Sequence, residues 1–157
     1  AFDHYRREYP TVRFIRDRFS EKVAVPVLSV DAIYSVSVLE HLPEPELGSV
    51  FATIRSSLRP GGYSIHCVDS VIAGNDTAFH DRQLRIILQE QSRVRGEHHD
   101  EGAWDALLTR VRDDVDTFYL SAEGHNLWRG SLRYEQFPYR RVVSIQTIGR
   151  TPPSASR

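Results

Sequence analysis

Glu40 and His41 are the first residues in this sequence whose types and spacing suggest chemistry. A carboxylate beside an imidazole can orient a substrate, or accept a proton from an attacking hydroxyl or amine. Capping the helix that follows is the structural alternative for the pair. Just upstream, Ser35-Val36-Ser37 closes an apolar run, and for Val36 plain sheet packing is the expected role. Glu97-His98-His99-Asp100-Glu101 holds metal-capable side chains, but neighbours on one loop seldom converge on one ion, so a solvated connector is expected and no metal site. His66 alternates with Ile65 and Cys67 and reads as a buried, hydrogen-bonded histidine. Cys67 lacks the basic surroundings that activate a thiol. Arg82, Arg85, Arg93 and Arg95 could form a basic stripe for RNA, yet Asp81, Glu90 and Glu97 lie among them, which favours a solvated helix face. Trp128, Tyr134, Phe137 and Tyr139 could wall a pocket, or pack a core equally well.

The elements that must position these residues follow from hydrophobic periodicity. Asp3 to Glu8 suits the end of a helix, and Val12 to Ile15 a short strand. Ala32 to Leu39 is apolar or small throughout, which predicts a central strand covered on both faces. Glu44-Pro45-Glu46 opens a helix whose Leu47, Val50, Phe51, Ile54 and Leu58 recur at helical spacing. Arg59-Pro60-Gly61-Gly62 stops it as a turn, and Tyr63 to Val68 reads as the next strand. Strand, helix and strand in this order predict a βαβ unit with the two strands parallel.

A helix from about His80 to Ser92 and a polar connector from Arg93 to Gly102 come next. A second helix then carries Asp100 as cap and Trp104, Leu107, Leu108, Val111 and Val115 on one stripe. Thr117 to Ser121, Asn126 to Tyr134 and Arg141 to Ile148 are aromatic and β-branched, as antiparallel edge strands would be. Residues 151–157 read as a disordered tail. The fold class expected is α/β, a single domain over residues 1–157 with a mostly parallel sheet and antiparallel strands at the carboxyl end.

Composition narrows the function classes. The 157 residues carry 20 basic and 21 acidic side chains, a net charge of -1, so no global field attracts nucleic acid or an anionic membrane. No apolar run approaches the ~20 residues of a membrane span. One cysteine excludes an internal disulfide, and a reducing, cytoplasmic setting is expected. The sequence opens at Ala1 and contains no methionine, which suggests a piece of a longer protein.

Asp31-Ala32-Ile33-Tyr34-Ser35-Val36-Ser37-Val38-Leu39-Glu40-His41-Leu42-Pro43, the helix ending in Leu58-Arg59-Pro60-Gly61-Gly62, and the strand ending in Asp69 together resemble the second half of a class I S-adenosylmethionine-dependent methyltransferase. The resemblance implies a Rossmann-like sheet, S-adenosylmethionine as cofactor and a small-molecule methyl acceptor. It places Asp17 near the adenine, and Ser35, Val36 and Ser37 along the methionine part. Glu40 and His41 then stand at the mouth of the crevice, able to orient the acceptor. The strand at Val12 to Ile15 would be the family's third. The family's glycine-rich loop is not found: the nine glycines form no GxGxG pattern, so this chain is expected to bind the cofactor poorly. Without the family's first strand, the strand at Ala32 to Leu39 becomes a sheet edge. The N-terminal thirty residues must then cover that edge, or a second copy of the chain must pair with it. A non-catalytic remnant serving as an oligomerisation or regulatory module is the alternative function. All of this requires the strands at Ala32 to Leu39 and Tyr63 to Val68 to be parallel neighbours.

Overall fold

The computed structural model describes residues 2–17, 19, 25–74, 76–114, 117, 123 and 141–154. Acidic Glu44 and Glu46 in the first turn, with Pro45 beside the cap, open a 14-residue helix, because negative charge and a preset φ both suit a helix start. In chain order the elements are α1 (Phe2–Glu8), β1 (Val30–Val36), a 3₁₀ turn (Leu39–His41), α2 (Glu44–Ser57), β2 (Leu58–Ala73), α3 (Thr77–Arg95), α4 (Glu101–Asp113) and β3 (Arg141–Arg150). As its spacing predicts, α2 buries Leu47, Phe51 and Ile54, and it does so in one cluster with Val68 of β2 and Leu84, Ile87 and Leu88 of α3. Leu108 of α4 joins the same cluster. Asp100 caps α4, its side chain accepting from the Ala103 N–H.

The sheet order is β1-β2-β3. β1 and β2 are parallel, with Ile33 opposite Ser64, Ser35 opposite His66 and Val36 opposite Cys67. This is the pairing that a strand-helix-strand unit demands, since a parallel connection needs a crossover long enough to return to the same end. β3 runs antiparallel to β2, with Ile65 opposite Ile148 and Val71 opposite Val142. The fold is therefore α/β, combining parallel and antiparallel pairing.

Several expectations need correction. β1 is not central. It lies at the edge of the described sheet, with Tyr34 78% and Val36 62% exposed, because among the described residues it has one hydrogen-bonded neighbour and its alternate side chains are left uncovered. Among the described residues nothing pairs with its outer edge. Residues 12–15 are not a strand, and among the described residues no ladder includes them; the Val12 N–H closes a turn on the Tyr9 carbonyl, and Phe14 packs by Tyr5. α3 outruns its expected limits at both ends, because buried positions continue to Val94. Thr117 lies in a turn, while the rest of the strands expected at Thr117 to Ser121 and Asn126 to Tyr134 falls outside the described residues.

The Arg59-Pro60-Gly61-Gly62 corner is part of β2 rather than a turn ahead of it. The register jumps there, from Val30 opposite Leu58 to Ala32 opposite Tyr63. Such an irregularity bends a strand and strengthens its twist. Gly61 takes φ +78°, and Gly62 lies so close to its neighbours that a Cβ would meet the Arg59 carbonyl oxygen at 2.9 Å and that of Asp31 at 3.1 Å. Thr151 fastens the corner from the far end of the chain: its Oγ1 donates to the Arg59 carbonyl at 2.7 Å, and its N–H donates to that of Gly62 at 2.9 Å. Urea denaturation should therefore show Gly62→Ala costing about 1–3 kcal/mol, through a backbone clash that cannot relax. Gly61→Ala meets only side-chain atoms, and should cost about 1 kcal/mol of backbone strain.

Candidate functional site

β1 ends at Val36, and the chain leaves the sheet through Ser37, which sits at φ +50° with its N–H donating to the Cys67 carbonyl at 3.0 Å. The Ser37 hydroxyl donates to Asp69 Oδ2 at 2.8 Å. The 3₁₀ turn then swings Glu40 inward until it is 1% exposed, and its Oε1 accepts from the Asp69 N–H at 3.2 Å. Glu40 does not cap α2: Pro43 stands at that cap without any side-chain bond. Its carboxylate ties the carboxyl ends of β1 and β2 together, and Oε2 is buried without a partner. Nearby, the Gln83 side chain donates to the Leu42 carbonyl at 2.6 Å while its own oxygen is equally buried and unpartnered. Unsatisfied buried acceptors cost about 1–3 kcal/mol each, so this rim carries a local energetic cost.

Beside it, between β1 and the start of α2, lies a crevice of about 680 Å³. Phe19, Ile33, Val50 and Ile54 supply apolar wall, and Asp17, Ser35, His41 and His66 the polar groups. An apolar cleft with a few convergent polar groups is the usual form of a small-molecule site. His66, on the floor, is 1% exposed and packs edge-on to Phe51 at 5.6 Å between ring centres.

The hydrogen bonds around His66 fix its tautomer. Gln91 donates its amide to the Ser64 carbonyl at 2.7 Å, which leaves the amide oxygen to accept from the Ser64 hydroxyl at 2.9 Å. That hydroxyl has then spent its proton and accepts from His66 Nε2 at 2.8 Å. Nδ1 is left to accept from the Ser35 hydroxyl, also at 2.8 Å. Burial disfavours the imidazolium and lowers the His66 pKa from 6.5 to about 4.

Of the residues singled out from sequence, the crevice brings together Asp17, Ser35 and His41. Ser37 and Glu40 meet on Asp69 at the rim, whereas Val36 lies outside the crevice lining. Asp69 and Gln91 were not identified as site residues. The signal for Gln91 was the period-2 set Ser64, His66 and Ser70, which puts polar groups on β2's buried face and so demands partners. The suspected basic stripe is neutralised residue by residue: Arg82 pairs with Glu44, Arg85 with Asp81 and Asp105, Arg93 with Glu90, and Arg95 with Glu97. Among the described residues no three metal-capable side chains converge. Trp128, Tyr134, Phe137 and Tyr139 lie outside those residues. No described helix is long and apolar enough to cross a membrane.

Known proteins offer counterparts for part of the sequence and for the fold. Residues 3–66 match a family model described as a methyltransferase domain. Among curated proteins none matches. Among solved structures, the 4+2 cyclase SpnF superposes with a TM-score of 0.52 at 16% identity, over 96% of this chain and 61% of that one. Haemonchus contortus phospholethanolamine N-methyltransferase 2, solved with phosphomonomethylethanolamine and S-adenosylhomocysteine, superposes at 0.38 and 14% identity, over 80% of this chain and 34% of that one. The likeness to the cyclase is one of fold; the second is too slight to carry an argument.

The His66 network makes stability depend on pH. Above about pH 6.5 the imidazole is neutral whether the chain is folded or not, so it contributes no pH dependence there. As pH falls from about 6.5 to about 4 the unfolded chain takes up a proton that the folded one refuses, which removes about 3 kcal/mol of stability in all. Urea titrations at pH 7 and pH 4.5 should show this loss in the native sequence and a clearly smaller one in His66→Gln.

Proposed function

We propose that this chain, whose residues 3–66 match a family model described as a methyltransferase domain, belongs to the class I S-adenosylmethionine-dependent methyltransferase superfamily and contributes to methyl transfer from S-adenosylmethionine to a small-molecule acceptor. The main support is the parallel β1–β2 pair, whose carboxyl ends meet on Asp69 beside an open crevice, where α/β sheets take their ligands. The cofactor supplies an electrophilic methyl group, and the protein's share is alignment and proton removal. Asp17 is suited to the adenine amine, and Ser35, Val36 and Ser37 to the amino-acid part. His41, exposed at the mouth, is suited to take a proton from the acceptor, and buried Glu40 to position it.

The described residues fit such a cofactor on one side only. They present acceptors for its amines, but the 157 residues hold no glycine-rich turn against which its backbone-bound parts could rest. Each hydrogen bond so forgone is worth about 0.5–1.5 kcal/mol, so the chain by itself should bind weakly. A free Cys67 thiol suits a reducing, cytoplasmic setting.

The outer edge of β1, with which nothing among the described residues pairs, favours a second reading, a non-catalytic module that associates with its own copy through that edge. Unpaired strand edges template further pairing. Sedimentation should then show a concentration-dependent dimer that Val36→Pro abolishes, and a monomer at every concentration would rule it out.

For the methyl-transfer reading, amide NMR with S-adenosylhomocysteine is expected to shift the signals of Ser35 to His41 and Asp69, with a dissociation constant well above micromolar. Shifts elsewhere, or none at millimolar ligand, would defeat the assignment of the site, and micromolar affinity would defeat the weak-binding argument.

A further inference from the structure

The floor of the crevice carries a hydrogen-bond direction that is set three links away, in α3. Gln91 is fully buried, and its amide nitrogen must face the Ser64 backbone carbonyl, 2.7 Å away, because a carbonyl can only accept. β3 confines the amide further: a Cβ at Gly149 would meet its nitrogen and its carbon at 3.1 Å. With the nitrogen so fixed, the amide oxygen faces the Ser64 hydroxyl at 2.9 Å and takes its proton. Ser64 is left a lone pair for His66 Nε2–H and no proton of its own to give. His66 is neutral at pH 7, since burial lowers its pKa to about 4, so Nδ1 carries no proton and accepts from the Ser35 hydroxyl.

The consequence falls on the crevice, which Ser35 and His66 both line. Both ring nitrogens of His66 are engaged. The Ser35 hydroxyl has spent its only proton on Nδ1, and what it has left for an entering molecule is a lone pair. Asp17 and Glu46, also in the lining, bring carboxylates, which accept as well, and no described lining residue is a lysine or an arginine. The lining side chains able to donate, His41 and Tyr34, are both exposed.

We infer that Gln91 determines specificity at a distance: through Ser64 and His66 it makes Ser35 an acceptor, so that the crevice selects an apolar small molecule bearing an N–H or O–H donor over an isostere that can only accept. An acceptor set against Ser35 would displace water that can turn to donate, and put nothing in its place. Gln91 lies outside the crevice lining and is a positioning residue. The direction of the chain stands on these bonds alone; identifying the donor with the cofactor's amino group rests on the proposed methyl transfer.

The test uses the whole 157-residue chain at pH 7. Indole and benzofuran are the probes, planar apolar isosteres in which an N–H stands where the other has only an ether oxygen. Indole should bind saturably, and more tightly than benzofuran. Ser35→Ala, which removes the lone pair, should lower the ratio of the two affinities about fivefold or more. A readout free of variants is the nitrogen-15 spectrum of the native histidine rings, with His66 identified by its contact with the Phe51 ring; the proton should sit on Nε2. In Gln91→Met the Ser64 hydroxyl regains its proton for His66, so a form protonated on Nδ1 should appear and the affinity ratio should fall, neither of which a merely structural glutamine would cause. A native His66 protonated on Nδ1, no saturable indole binding below about 10 mM, or a ratio unchanged in folded Ser35→Ala would overturn the proposal, and so would a tautomer and ratio both unmoved in folded Gln91→Met. The native spectrum and Ser35→Ala decide the matter if Gln91→Met does not fold. None of these results depends on S-adenosylhomocysteine, so this inference and the methyl-transfer reading fail separately.

Discussion

β1 has a single hydrogen-bonded neighbour among the described elements, and most of what surrounds the site follows from that constraint. An edge strand must be held by what it shares with one partner, and here the hold is distributed along its length. Asp31 pairs with Arg59 at one end, Ser35 bonds His66 in the middle, and Ser37 and Glu40 grip Asp69 at the other. The central bond matters most because it is buried. Ser35, His66, Ser64 and Gln91 form a chain that runs from β1 through β2 into α3, with each proton assigned. In a low-dielectric interior such a network stabilises one arrangement and penalises any other, since a slipped strand would leave several groups unpaired.

The same constraint shapes the chemistry on offer. A strand covered on both faces would close the space beside it; an edge strand leaves a crevice along its helix-side face, floored by His66 and opened at His41. The His66 imidazole is poorly suited to general acid–base work near neutral pH, because burial keeps it neutral and both its nitrogens are already engaged. A cleft with apolar walls and a few convergent polar groups suits a small molecule.

Much of this was legible beforehand where the signal is local. The apolar spacing of α2, the cap at Asp100 and the parallel βαβ order depend on neighbours within a few residues, and the folded chain agrees with each. The misreadings share one cause. Residues 12–15 have strand-like composition, yet a strand exists only where a partner supplies the ladder, and none of the described strands does. The all-apolar β1 run reads as central for the same reason: composition records what a strand tolerates, not how many neighbours it has. The Arg59–Gly62 corner reads as a turn because glycine and proline mark a break, while its absorption into β2 depends on Asp31 and Thr151, which are remote in sequence.

The order of residues by itself determined the α/β class, the crossover unit, the helix faces and the family likeness, because each is written in periodicities and short motifs that neighbouring residues satisfy among themselves. Only the tertiary structure decided that Glu40 turns inward to Asp69 instead of capping α2, and that Ser35 and His66 join a hydrogen-bond chain with Ser64 and Gln91. Those outcomes depend on distances between residues twenty-seven to thirty-one positions apart, and hydrogen bonds of under 3.5 Å are settled by packing, which no local pattern encodes.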